Sequence, residues 1–202
     1  MTRTRQTARA RKLRERQATE KAKINAQEWL DKWYTKEGTC LRANERDNIN
    51  NFGKTRWEIT ELDISRQNLE GPLGLAGFTN LKKLDCYENQ LTSLNLKDCM
   101  ELEKLWCFDN QLTNLILPFE LPFFELPFKV NLKTLVVSNN LLNDLNLDAL
   151  QGEKLTYLDL ANNNFLEQDL GCFSKFKNLE ELNLGSWEFS GSEGVFNCLK
   201  VL

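Results

Sequence analysis

One pattern dominates the chain. L-x-x-L-x-L-x-x-N-x-L fits six times, starting at Ile59, Leu81, Leu102, Leu132, Leu155 and Leu179. Successive starts lie 22, 21, 30, 23 and 24 residues apart, and 33 of the 36 leucines fall at or beyond Leu62. A unit this short cannot bury its own leucines, so tandem copies must stack, and stacking at this period dictates a solenoid. The L-x-L alternation sends leucines to one side of a short strand, and strands of successive units then pair side by side. Asn89, Asn110, Asn140 and Asn163 recur at the turn that follows, where an amide offers both donors and an acceptor to backbone groups. Gln67 and Trp187 stand at that position in the first and sixth units, so this asparagine ladder weakens at both ends.

The segments LKKLDCYENQLTSLNL (81–96) and LEKLWCFDNQLTNLIL (102–117) resemble leucine-rich repeat proteins, most closely a short intracellular type found in large fungal and bacterial families. The resemblance covers residues 59–202. It implies an α/β solenoid, a leucine-rich repeat horseshoe with parallel strands on the concave face and an N-terminal capping helix. It also implies a non-catalytic protein-interaction scaffold, without naming the partner.

Three regions follow. Residues 1–24 form a basic tail or helix extension, 25–58 an N-terminal helix and capping loop, and 59–202 the repeat array. Helix-forming residues run without Gly or Pro from 3 to 34, and Asn25 with Glu28 is placed to cap a shorter helix. Ala26, Trp29, Leu30 and Trp33 then share one face, suited to covering the first coil. The array ends on Leu199-Lys200-Val201-Leu202, the start of a seventh unit. A solenoid end needs a polar cap, so the expectation is a fragment or shortened family member, or self-association through the uncapped end.

Outward strand positions line the face that such arrays present to partners. Tyr87, Trp106 and Phe108 fall there as exposed neighbours, with Val136 continuing the Trp106 column, Tyr157 further along, and Lys83, Lys104 and Asp85 at the border. Aromatics edged by charge have the composition of a binding hot spot. A second candidate is the insertion PFELPFFELPFKV (118–130), which repeats Phe-Glu-Leu-Pro-Phe and offers Phe119, Phe123, Phe124 and Phe128. It either folds back on the convex side or presents a Pro-containing motif.

Charge is split along the chain. Residues 1–24 carry nine Arg/Lys against two Glu, leaving 17 basic and 27 acidic groups for the rest. Arg3, Arg5, Arg9, Arg11 and Arg14 could bind nucleic acid or an anionic surface, or form a solvated tail. No aromatic for base stacking precedes Trp29, so nucleic acid is not the expected partner. The runner-up role is a regulatory part of a larger repeat protein.

Catalysis finds no support. The chain has no histidine, no G-x-S-x-G and no Gly-rich phosphate loop, which excludes His-based triads and metal clusters. No cofactor is expected. No C-x-x-C occurs among the six cysteines, the first 16 residues are too polar for a signal peptide, and none of the 22 asparagines begins N-x-S/T. The expected compartment is the cytoplasm, with the nucleus as the alternative, and the thiols are expected to be free. No apolar run approaches the roughly 18–20 residues of a membrane-spanning helix.

Overall fold

The computed structural model describes residues 23–42, 49–118, 130–165 and 173–185. The chain enters through a two-residue strand, β1 (Ile24–Asn25), and the helix α1 (Ala26–Trp33). Six three-residue strands then build one parallel sheet: β2 (Glu61–Asp63), β4 (Lys83–Asp85), β6 (Lys104–Trp106), β8 (Thr134–Val136), β9 (Tyr157–Asp159) and β10 (Glu181–Asn183), side by side in that order. The register is set by the fourth position of the repeat. Leu62, Leu84, Leu105, Leu135, Leu158 and Leu182 lie in one row across the sheet, and all are buried.

The return legs of the first three units are strands too. β3 (Leu69–Gly74), β5 (Gln90–Asn95) and β7 (Asn114–Ile116) form a second parallel sheet, with β1 at its edge. Two features explain this. Leu91-x-x-Leu94-x-Leu96 repeats the inward pattern of the first leg, and a unit of about 21 residues leaves no room for a helix between two strands. The α-helix of the described residues therefore belongs to the cap, the first three coils behind it are β on both legs, and the return leg of the fourth unit carries a 3-10 turn at Leu147–Ala149. The two rows of leucines meet as one core running from Ala26 to Leu184.

Cysteines occupy tight inward positions. Cys86 and Cys107 fill the sixth position of neighbouring units, and with Cys40 and Cys99 they are buried and free. Contact with Cys107, then burial, pushes the Cys86 thiol well up. Burial, helped by Asp98, raises Cys99 to about 12. Both stay protonated at neutral pH and serve as small apolar fillers.

The cap is joined to the array by polar as well as apolar contacts. Asn25 Oδ1 accepts from the Glu28 N–H at 2.9 Å, and Ala26, Trp29 and Leu30 are buried, with Trp33 packed at their edge. A helix running unbroken over 3–34 is not what forms: Ile24 and Asn25 pair with Leu69 and Glu70 as a strand, so α1 starts at Ala26. Arg56, 5% exposed, donates to the Tyr34 carbonyl, to Ala76 O at 3.0 Å and to Asp31 Oδ1 at 2.5 Å, and lies over the Phe78 ring. Helix, loop and first return leg are thus tied to one guanidinium, whose fork of donors suits this.

Candidate protein-docking face

The ladder fixes the turn after each strand of the six-stranded sheet. Asn110 Nδ2 donates to its own Cys107 O at 3.2 Å and to Cys86 O of the preceding unit at 3.0 Å, while its Oδ1 accepts from Leu91 N–H at 3.0 Å. Asn89, Asn140 and Asn163 repeat this geometry one unit apart. Gln67, at the first rung, donates only to Ser65 O and accepts from Arg42, a thinner bond set, as its longer side chain would give.

One residue before the ladder, the backbone turns left-handed. Arg66, Glu88, Asp109, Asn139 and Asn162 have φ between 52° and 56°. Asn tolerates this conformation better than the others, so the two asparagines are the clue to a turn that Arg66, Glu88 and Asp109 conceal. Side chains of this column also bond to one another: Asn162 to Asn139 and Asn139 to Asp109, both at 2.7 Å.

Strand alternation places the candidate aromatics on the outward side. The Tyr87 and Phe108 rings stack with centroids 4.6 Å apart and planes 5° from parallel, and both are half-buried. Cations sit on the flanks. The Arg66 guanidinium lies 5.3 Å from the Tyr87 centroid and 2.5 Å from Glu88 Oε1. The Lys83 ammonium lies 5.3 Å from the Trp106 centroid and 3.0 Å from Asp85. Burial outweighs Lys83 and raises the Asp85 carboxyl, whereas the bond to Asp85 raises Lys83. Tyr157 stands in register beside Glu181. Burial, then the charges of Glu181 and Asp159, push its phenol up.

A family described as Leucine rich repeat matches residues 130–189. The functional domain of InlJ from Listeria monocytogenes, described as including a cysteine ladder, is similar in structure, with 27% identity and a TM-score of 0.52. That match covers 67% of this chain and 28% of that one. No curated protein matches. Parallel coils, inward leucines and the asparagine ladder agree with both findings. The described coils are leucine-rich repeats.

The repeat array gathers some of the residues expected at a docking face and not others. Tyr87, Trp106, Phe108, Lys83 and Asp85 form one group on the second and third units, and Lys104 is exposed beside Lys83. Val136 does not join them as an exposed residue. It is 7% exposed, because it stands in register between Trp106 and Asp159, and a short side chain between two larger ones is shielded. Tyr157 lies on the fifth unit, two strands from Trp106. The insertion phenylalanines 119, 123, 124 and 128, the tail arginines 3, 5, 9, 11 and 14, Trp187 and the start of a seventh unit lie outside the described residues. Among the described residues, no group of acids and cysteines could hold a metal, and no helix is long and apolar enough to cross a membrane.

Proposed function

We propose that this protein is an interaction scaffold that docks a protein partner on the outward face of its six-stranded sheet, with Tyr87, Trp106 and Phe108 at the centre. The family and the fold support the scaffold role. The observation that carries the site is the stacked pair Tyr87–Phe108, at 4.6 Å, on the side of the sheet away from the leucine core. Stacking across strands gives such a pair some local worth, about 0.2–1 kcal/mol. It does not require two rings and an indole clustered on two adjacent units with cations held over them. Large amphipathic side chains fixed by their neighbours lose little freedom when a partner arrives, which is why they dominate hot spots.

The arrangement suits protein rather than small-molecule recognition, because flat rings flanked by Lys83, Lys104, Asp85 and Glu88 offer apolar contact with a polar rim. InlJ includes a cysteine ladder; here Cys86 and Cys107 supply two adjacent rungs of similar character, with a packing role.

The test is affinity capture by the full chain beside its Tyr87→Ala, Trp106→Ala, Phe108→Ala triple variant, with circular dichroism matched. A partner bound by wild type and lost by the variant supports the assignment. Equal capture by both refutes it and moves attention to the Pro/Phe insertion and the basic tail.

A further inference from the structure

We infer that the outward face of the six-stranded sheet is covered in cis by the chain's own basic segment, residues 3–16. The inference goes beyond the docking of an external partner and stands without one.

Charge is segregated between the two sheets. β3, β5 and β7 together carry a single charged residue, Glu70, and Lys23 pairs with it at 3.2 Å. The six-stranded sheet bears its charges outward, and three of its cations are already engaged: Arg66 with Glu88, Lys83 with Asp85 and Lys133 with Glu103. Glu61, Asp109, Glu180 and Glu181 are exposed on the same side, and none has an ion pair among the described residues. Lys82 and Lys104 are also exposed on this side, close to Glu103, so the surplus negative charge gathers at the first strand, at Glu61, and at the last, at Glu180 and Glu181.

It also shows how it holds a cation. Arg66 and Lys83 each sit against an aromatic ring and a carboxylate at once. Phe108 and Asp109 occupy the same two columns as Tyr87 and Glu88, one unit on, but the preceding unit supplies Glu88 where Arg66 serves Tyr87. Tyr157 beside Glu181 repeats the pairing across strands. These are two aromatic–carboxylate seats without a cation among the described residues, and a guanidinium suits both partners.

Segment 3–16 carries seven Arg/Lys and one Glu. Its tether is long enough: from Lys23, fixed at Glu70 on the first coil, the chain back to Arg3 can span roughly 66 Å at about 3.3 Å per residue. Six strands are only about 24 Å across at ~4.8 Å spacing. Tethering holds the segment near the face at an effective concentration of order mM, so individually weak contacts suffice.

Zero-length carbodiimide coupling of the wild-type full chain, read by mass spectrometry, tests this. Lys133 and Glu103, 2.6 Å apart, are the internal positive control. Lys12 is expected to couple to Glu61, Asp109, Glu180 or Glu181 at least about five-fold more than to Glu37, Asp144 or Glu153, an excess that falls toward one at about 0.5 M NaCl, where charges are screened within a few ångström. In an equal mixture of unlabelled and 15N-labelled protein, the links are expected within one molecule. Equal yields on and off the face while Lys133–Glu103 couples, or links found only between differently labelled molecules, would overturn the inference. The two experiments fail separately, since coupling reads where Lys12 lies and capture reads whether an external partner is lost with the three aromatics.

Discussion

Asn110→Ala is the substitution that most directly probes what holds the coils together. Asn110 is 9% exposed. Truncation strips the Leu91 N–H of its side-chain acceptor and removes one donor each from Cys86 O and Cys107 O. The carbonyls keep a second donor, because Asn89 also bonds Cys86 O and Asn140 also bonds Cys107 O, at 3.0 and 2.9 Å. The N–H is the larger loss. A buried donor left without its acceptor costs about 1–3 kcal/mol, and each thinned carbonyl adds about 0.5 kcal/mol, for roughly 2–4 kcal/mol in all. Asn110→Asp should be worse at pH 7, since it turns an anionic oxygen toward two carbonyls at contact distance. That repulsion raises the new carboxyl above its unfolded value, so the penalty is present at neutral pH and fades as pH falls through the folded value. Urea unfolding followed by tryptophan fluorescence and circular dichroism together measures both effects and checks that the transition is concerted. A loss under about 1 kcal/mol for the alanine variant, or an aspartate variant no worse than alanine at every pH, would refute the reasoning.

Other substitutions probe other joints. Arg56→Ala leaves Asp31 and the Tyr34 and Ala76 carbonyls without their shared donor, and urea unfolding should show a loss of about 3–5 kcal/mol. Burial alone would raise Asp31, but hydrogen bonds from Arg56, Lys36 and Gln27 outweigh it and hold the carboxyl below its ordinary value. Its contribution is therefore complete above the unfolded carboxylate pKa and lost as pH falls through the lower folded one, so wild type should lose more stability on acidification than Asp31→Asn. A Cβ at Gly152 would lie 2.2 Å from Lys175 O, and Gly152→Ala should lower stability by about 1–3 kcal/mol, measured as a fall in Tm. Trp106→Ala should leave unfolding nearly unchanged yet weaken partner binding by about 2 kcal/mol or more, read by calorimetry once a partner is in hand.

The repeat was legible in the sequence because its signal is periodic. Each leucine row and each ladder asparagine is stated several times, so local irregularities such as Gln67 do not hide it. The second sheet was harder to foresee. Its inward pattern, Leu91-x-x-Leu94-x-Leu96, is plain once seen, but a return leg is equally compatible with a turn, and only the tightness of a 21-residue unit decides for a strand. The docking face was readable by column and unreadable by depth. Alternation puts Trp106 and Val136 on the same side, yet the exposure of each depends on the size of its neighbour across the strand, a quantity absent from the linear sequence. Arg66 and Lys83 were likewise visible as charges, while their seats over Tyr87 and Trp106 depend on side-chain direction toward rings 21 and 23 residues away.

The ladder amides reach backwards. Asn110 secures Cys86 O, Asn140 secures Cys107 O and Asn163 secures Val137 O, in each case a carbonyl one unit nearer the amino terminus. The array consequently has a mechanical polarity. Pulled from its carboxyl side, it sheds coils in sequence, and each departing coil takes with it an amide that braced the coil before. Pulled from its amino side, it must first break the Arg56 cluster, and only then does each departing coil take with it the carbonyl on which the next coil's amide was seated. The same leucines thus give a spring that is soft in one direction and latched in the other.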